Sequence, residues 1–184
     1  THSQLPDGVQ YWDADLAALQ TAIRNVLPAE EFSVDILNTS DEQQKYVLFM
    51  SSDSTSGTYL LGDRQNNELS VFATAYPDID ETIYRGKEHI SFKARDGLAI
   101  EGYLTLPVGY KKGDKLPTII FPHGGPMARD YSNFDYWTAL LAYHGYAVLQ
   151  PNFRGSSGYG YDFLMQSIQG FGQAMQDDLQ DGAL

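Results

Sequence analysis

The spacing of hydrophobic residues predicts a helix first, then a run of strands, and then strands alternating with helices. After Asp13, apolar side chains recur every three or four positions, at Leu16, Leu19, Ile23 and Val26. This spacing predicts an amphipathic helix of about four turns. Pro28 should end that helix, because proline has no amide proton and its ring clashes with the preceding turn.

Residues 32–76 have the composition of β-strands. Four runs rich in β-branched and aromatic residues are separated by polar turns, and they cover residues 32–37, 45–51, 58–61 and 68–76. Short strands with polar turns predict an antiparallel meander. Four strands in about 45 residues match one blade of a β-propeller, although a four-stranded sheet in any α+β protein would have the same pattern.

A polar connector with a proline, residues 76–82, separates this meander from the rest of the chain. Beyond it, residues 90–93 and 98–106 flank Arg95-Asp96-Gly97. This arrangement predicts a hairpin in which Gly97 takes a positive φ. The second arm alternates apolar and polar residues, so one of its faces should be buried.

The next segment repeats a plan of apolar strand followed by glycine-rich loop. The strand at residues 116–121 leads into His123-Gly124-Gly125-Pro126, and the strand at 146–152 leads into the loop 153–160. Two strand ends with flexible loops predict one shared site. Consecutive glycines also free the backbone to turn its amides toward an oxyanion.

Residues 132–144 predict the helix that connects these two strands. Ser132 or Asn133 can cap its start, Gly145 ends it, and its apolar face should comprise Phe134, Trp137, Leu140 and Leu141. A strand–helix–strand unit predicts a parallel sheet. Two more helices are expected at residues 161–169 and 173–184. The second carries Asp177, Asp178 and Asp181, which suit the first turn of a helix better than a metal site, so no metal is predicted.

Composition narrows the classes of partner. The 184 residues carry 24 acidic and 12 basic side chains, a net charge of −12, which argues against nucleic acid and anionic membranes as partners. The charge is uneven: residues 1–90 hold 15 acidic and 5 basic side chains, and residues 91–184 hold 9 and 7. This asymmetry indicates two units with different surfaces.

The sequence says less about the cellular compartment of the protein and about whether the chain is complete. The absence of cysteine excludes disulfides and thiolate chemistry, and no apolar run approaches the roughly 18 residues of a membrane span. Cytoplasmic and periplasmic or secreted locations both stay open. The chain does not begin with Met, so we expect a piece of a longer protein.

Several stretches, in consistent order and spacing, together resemble one family. They are residues 95–98, 102–107, 123–126, 145–149, 152–160 and 177–182. They resemble the start of the catalytic domain of prolyl oligopeptidase family serine peptidases, in the branch of acylaminoacyl peptidases and dipeptidyl aminopeptidases. Residues 1–76 resemble the last part of that family's β-propeller.

The resemblance implies a fold and an activity. Residues 87–184 would be the N-terminal part of an α/β-hydrolase domain, and residues 1–86 the C-terminal part of a β-propeller with its antiparallel meander. The parent protein would be a serine peptidase that hydrolyses small peptides through an acyl-enzyme, releasing aminoacyl, dipeptidyl or acylaminoacyl groups, without a cofactor. Whether it forms a homo-oligomer stays open.

The resemblance also implies a Ser, Asp, His triad, with the serine in a Gly-x-Ser-x-Gly elbow. No such elbow occurs in the 184 residues, and the nearest candidate, at residues 155–159, has Tyr159 in place of the second glycine. We therefore expect that the chain stops before its nucleophile, that the triad is absent from it, and that the fragment alone is inactive.

By the same resemblance, the backbone of Gly125, with Gly124 beside it, would form half of an oxyanion hole. His123 would either contribute to this site or bond to neighbouring backbone. Arg154 would either recognise a peptide carboxylate or carbonyl, or tie its own loop to nearby carbonyls. Tyr159 is a further candidate for the substrate pocket.

Two other functions stay open. One is an α/β-hydrolase esterase without peptidase activity, although Pro126 and the β-rich first half count against it. The other is a non-catalytic binding module in which the propeller-like half engages a partner.

Overall fold

The computed structural model describes residues 11–27 and 32–183 of the chain. The described residues divide into two compact units, the first up to residue 81 and the second from residue 82 onward. The first contains α1 (Ala14–Val26), β1 (Ser33–Thr39), β2 (Lys45–Ser51), β3 (Thr58–Asp63) and β4 (Glu68–Thr74). The second contains β5 (Lys87–Lys93), β6 (Ala99–Thr105), β7 (Thr118–Ile120), α2 (Tyr136–Tyr143), β8 (Ala147–Asn152), α3 (Tyr161–Gly170) and α4 (Ala174–Asp181). A 3₁₀ turn, Glu81–Ile83, lies at the boundary between the two units along the chain.

The first unit is an antiparallel sheet with a helix packed on one face. The strands pair in chain order, β1-β2-β3-β4, which confirms the predicted meander. Leu19 and Ile23 of α1 form the core with Leu48 and Leu60 of the central strands. Asp13 caps α1 by accepting from the N–H groups of residues 15 and 16. Pro28, the predicted stop, lies outside the described residues.

The second unit is a mixed sheet in the order β5-β6-β8-β7. The predicted parallel pairing is correct for β7 and β8, but β5 pairs with β6 and β6 with β8 in antiparallel fashion. The hairpin of β5 and β6 adds to the free side of β8, because the crossover helix places β7 on the other side. All six residues of β8 are buried, as expected for a strand with neighbours on both sides.

Gly102 lets the backbone of β6 approach the backbone of β8 closely. It lies opposite Pro151, and a Cβ at position 102 would be 2.6 Å from the carbonyl oxygen of Gln150. Proline is rare in a central strand, because it cannot donate to the ladder. A glycine opposite it lets the two backbones come together without a side chain between them.

The connecting helix α2 differs from its prediction in two respects. Its cap is Asp135, whose Oδ1 accepts from the N–H groups of Trp137 at 2.8 Å and Thr138 at 3.3 Å, rather than Ser132 or Asn133. Its buried residues are small: Thr138, Ala139 and Ala142. Trp137 is 50% exposed and Leu140 46%, so the predicted apolar face was wrong at these two positions, whereas Phe134 and Leu141 are half-buried. Small side chains let the helix lie close to β8 and β6, which it contacts.

Within residues 11–27 and 32–183, no helix is long and apolar enough to cross a bilayer.

Candidate active site

Two loops that follow adjacent parallel strands form the candidate site. Ile120 of β7 lies opposite Leu149 of β8, and the Phe121 N–H donates to the carbonyl of Leu149 at 2.7 Å. The chain therefore leaves both strands at the same edge of the sheet, into residues 121–131 and 153–160. These loops contact one another, as the sequence predicts for strands of one crossover unit.

The turn after β7 contains two bare N–H groups, that is, N–H groups that are exposed and have no hydrogen-bond partner among the described residues. Gly124 and Gly125 are exposed, and their N–H groups have no hydrogen-bond partner within the part of the chain that the structure describes. Gly125 has a φ of 133°, and a Cβ there would lie 2.9 Å from the amide nitrogen of Ala128. Position 125 therefore requires glycine. An unpartnered N–H on an exposed turn is available to donate to a ligand oxygen.

His123 connects this turn to the second loop. Its ring stacks on Phe153 with centroids 4.5 Å apart and an interplanar angle of 14°. Its Nε2 lies 2.8 Å from the Oγ of Ser156, and its Nδ1 lies 3.0 Å from the carbonyl oxygen of Gly124. The Ser156 hydroxyl donates to the carbonyl of Phe153 at 2.6 Å. With that proton directed to the Phe153 carbonyl, Nε2–H is the donor to Ser156. A neutral ring then has no proton on Nδ1, so the 3.0 Å contact with the Gly124 carbonyl is a hydrogen bond only when both ring nitrogens carry protons.

Arg154 is enclosed by carboxylates rather than presented to a substrate. Its Nε and Nη2 donate to Asp178 at 2.9 and 2.7 Å, and its Nη1 donates to Asp96 at 2.7 Å. Its backbone N–H also donates to Asp178, at 2.9 Å. Hydrogen bonds to Asp178 and then to Asp96 raise the pKa of Arg154. Of the two alternatives for this residue, the geometry fits the structural one, with carboxylates as partners instead of carbonyls.

A second arginine completes the attachment of α4 to the hairpin turn. Arg95 donates to Asp181 through its backbone N–H at 2.7 Å and its Nη2 at 2.7 Å, and to Asp177 through its Nη1 at 2.8 Å. The bond from Arg154 is the main cause that lowers the pKa of Asp96, and the bond from Arg95 does the same for Asp181. The three aspartates of α4 are thus arginine partners. Within the described residues, no cluster of three metal-ligating side chains suits a metal ion.

Tyr159 is half-buried and its hydroxyl is engaged inside the loop. It accepts from Asn152 Nδ2 at 2.9 Å and from Arg129 Nη2 at 3.3 Å. The Arg129 guanidinium lies over the rings of Tyr159 and Tyr131, at 4.7 and 5.0 Å from their centroids. Burial raises the pKa of Tyr159. These contacts link the residue to the first loop, and only part of its ring surface stays open.

A polar cluster that the sequence did not indicate lies beneath the first loop. Asn152 accepts from the Asp130 N–H at 2.8 Å and donates to the Asp130 carbonyl at 3.2 Å. Gln150 Nε2 donates to Asp130 Oδ1 at 3.0 Å. Burial raises the pKa of Asp130, and burial lowers the pKa of Lys87, although nearby carboxylates oppose that shift. The sequence pattern did not indicate this cluster. Polar residues in a strand are usually expected on its exposed face, whereas every residue of β8, including Gln150 and Asn152, is buried.

A cavity of about 200 Å³ lies beside the glycine turn. Its walls come from both loops and from α4, with Pro122, His123, Phe153, Phe171, Met175 and Leu179 among the lining residues. The lining is mainly apolar, so this cavity suits an uncharged side chain or an apolar segment of chain.

Comparisons with known proteins agree with the motifs. Residues 132–184 match the sequence model of the prolyl oligopeptidase family. The chain is 30% identical to dipeptidyl peptidase family member 6 of Caenorhabditis elegans, in a match that covers 81% of this chain. It is also 30% identical to dipeptidyl aminopeptidase BIII of Pseudoxanthomonas mexicana, in a match that covers 76% of this chain. These matches cover 23% and 21% of the two relatives.

A solved structure supports the same relationship. The acylaminoacyl peptidase of Pyrococcus horikoshii superposes with a TM-score of 0.57 at 28% identity, over 80% of this chain and 23% of that one. The resemblance predicted from the sequence is confirmed, and the chain belongs to the prolyl oligopeptidase family. It spans about a fifth of the length of the curated relatives it matches.

Proposed function

We propose that this chain supplies the oxyanion-binding half of the active site of a serine peptidase. The observation that carries the proposal is the pair of exposed, unpartnered N–H groups at Gly124 and Gly125, at the end of β7 within the described chain. In the reaction, a serine oxygen bonds to the substrate carbonyl carbon, its proton passes to a histidine base, and the carbonyl oxygen becomes an oxyanion. The Gly125 N–H donates to that oxyanion, an interaction of about 3 kcal/mol.

We further propose where this chain sits in the parent fold. The meander β1 to β4 is the last part of a β-propeller, within residues 1–86. Strands β5 to β8 with their helices are the N-terminal part of an α/β-hydrolase domain, within residues 87–184. The mixed sheet and the helix between β7 and β8 are compatible with this assignment.

The nucleophile lies, in this proposal, outside these 184 residues. The sequence has no Gly-x-Ser-x-Gly elbow, and Ser156, whose hydroxyl oxygen lies 2.8 Å from His123 Nε2, is fully buried. Its hydroxyl proton is directed to the carbonyl of Phe153, away from any substrate. The 184 residues alone should therefore be catalytically silent.

The substrate class follows from the names of the relatives. They are dipeptidyl peptidases and acylamino-acid-releasing enzymes, so short peptides that lose an aminoacyl, dipeptidyl or acylaminoacyl group are the proposed substrates. The apolar cavity beside the glycine turn suits an uncharged part of such a peptide. No cofactor enters the proposed reaction.

Labelling of the complete protein with a fluorophosphonate, followed by peptide mapping, tests this proposal. We expect one labelled serine, in a Gly-x-Ser-x-Gly sequence outside residues 1–184. A stable label on any serine within them would overturn the assignment. Rates on aminoacyl, dipeptidyl and acylaminoacyl anilides, compared with simple acyl esters, separate a peptidase from an esterase, and no turnover of either class would indicate a binding module.

A further inference from the structure

The buried hydroxyl of Ser156 lies between the two loops of the candidate site. Ser156 has no exposed surface, and its Oγ makes two bonds, to the Phe153 carbonyl at 2.6 Å and to His123 Nε2 at 2.8 Å. His123 is the residue directly before the two bare glycines. A buried serine therefore holds the ring that begins the oxyanion turn.

We propose that Ser156 is a positioning residue, which acts through His123 to orient the Gly124 and Gly125 peptide groups toward the oxyanion. This inference rests on the proposed function. Ser156 touches neither substrate nor reacting atoms in this role. Its contribution is to keep the donor N–H aimed, in a turn that contributes few bonds of its own.

The glycine turn depends on external support. A Cβ at Gly124 would meet no atom within 4 Å, so no neighbouring atoms pack against the turn at that position. Two glycines in succession also give the backbone unusual freedom. Bonds from both loops restrain the turn. The backbone N–H of His123 donates to the Asp130 carboxyl in the first loop. In the second loop, Ser156 bonds the His123 ring and the Ser157 N–H donates to the Ala128 carbonyl at 2.9 Å.

The second loop is rigid enough to provide that support. Arg154 fastens it to Asp178 through three hydrogen bonds, and the Gly155 N–H donates to the Phe163 carbonyl at 2.9 Å. A Cβ at Gly155 would lie 2.5 Å from that of Ser167, so α3 packs directly against the loop. Ser156 follows these anchors immediately, and its own N–H donates to the Phe153 carbonyl at 3.0 Å.

The distance between His123 and Ser156 alone would also suit a nucleophile and its base, but the surroundings exclude that role. A nucleophile must expose its oxygen and give its proton to the base. Here the hydroxyl is buried and its proton goes to a backbone carbonyl. The Nδ1 of His123 faces the Gly124 carbonyl at 3.0 Å rather than a carboxylate that would orient it.

The test compares Ser156→Ala with Ser167→Ala in the complete protein. Ser167 is a matched control: it is 2% exposed, and its hydroxyl donates to the Leu164 carbonyl at 2.7 Å, three residues back, as that of Ser156 does. We expect Ser156→Ala to lower kcat at least about tenfold with KM within about threefold, because misplacement of an oxyanion donor affects the transition state. Ser167→Ala should leave kcat within about twofold. Equal kcat in Ser156→Ala and the wild type, or equal losses in both variants, would overturn the inference.

A second pair of variants covers a failure of Ser156→Ala to fold. His123→Gln retains an N–H donor that can reach Ser156, whereas His123→Leu has a similar size and no donor. We expect kcat of the Gln variant to exceed that of the Leu variant by about tenfold, and Ser156→Ala, where it folds, to abolish this difference. Equal kcat in the two His123 variants would contradict the positioning role.

The two proposals fail in different ways. A wild-type protein without turnover or fluorophosphonate labelling defeats the proposed function. An active wild type with unaffected Ser156 and His123 variants defeats only the positioning role.

Discussion

The carboxylate of Asp178 receives three hydrogen bonds from Arg154, one from its backbone N–H at 2.9 Å and two from its guanidinium at 2.9 and 2.7 Å. The side chains of both residues are buried, with 0% and 9% exposure. The bond to the backbone makes the pair more than an ion pair, because it also fixes the start of the loop 153–160.

Replacing Asp178 with Asn should open this loop. The change removes the buried carboxylate partner of Arg154 and leaves only Asp96, which is 49% exposed. Loss of one partner of a buried ion pair typically costs about 3–5 kcal/mol. We expect a lower thermal midpoint for the complete protein and faster hydrogen exchange in residues 153–160. Asp177→Asn is the matched control: its partner Arg95 is 48% exposed and also bonds Asp181, so we expect no measurable change. Similar exchange in both variants would refute the role of the buried pair.

Replacing Gly125 with Ala should abolish most of the activity of the complete protein. The Cβ would meet the Ala128 amide nitrogen at 2.9 Å, and the φ of 133° is unfavourable for alanine. The turn must then shift, and we expect kcat to fall by about 100-fold.

Gly113→Ala provides the control for strain alone. Gly113 has a φ of 104°, and a Cβ there would meet no atom within 4 Å, so alanine adds backbone strain of about 1 kcal/mol without a clash. We expect kcat of this variant to match the wild type. A kcat for Gly125→Ala as high as that of Gly113→Ala would argue against an oxyanion role for the turn.

The buried carboxyl of Asp130 should make stability depend on pH. Burial raises the folded-state pKa of Asp130 above its unfolded value, so its contribution is fully present below the unfolded pKa near 4 and is lost as pH rises through the folded pKa. Asp130→Asn cannot ionise. The thermal midpoint of Asp130→Asn relative to the wild type should therefore rise between pH 4 and pH 7. A constant difference over this range would contradict the shift.

Tyr159→Phe separates the two roles considered for that residue. The variant removes the acceptor of Asn152 Nδ2 and Arg129 Nη2, so we expect a lower thermal midpoint, equivalent to about 1–2 kcal/mol. KM should stay within about twofold, because the hydroxyl is occupied inside the loop. Tyr143→Phe, at a residue that is 59% exposed, should change neither quantity. A large increase in KM for Tyr159→Phe would instead assign its hydroxyl to the substrate.

Local elements were predictable because their causes are local. The run at residues 45–51 became β2 with the same bounds, since alternation, β-branched residues and flanking polar turns all act over a few positions. The glycine turn at residues 123–126 was equally predictable from the sequence, because two glycines permit backbone conformations that few other residues adopt. The family resemblance also rests on such short, ordered motifs.

The mixed pairing of the second sheet and the buried side of α2 depended on tertiary contacts. Periodicity identifies a helix but not the neighbour that it packs on, and α2 buries Ala139 and Ala142 because β8 approaches closely there. Strand order likewise depends on which edge is free once the crossover is formed.

The partners of the candidate site are also a tertiary matter. Arg154 and Asp178 are 24 residues apart, and His123 and Ser156 are 33 apart. No local period relates such positions. They meet because the parallel pairing of β7 and β8 brings two loops together and α4 returns to the second of them. The order of residues in the chain predicted the glycine turn, whereas the folded sheet determined which side chains contact it.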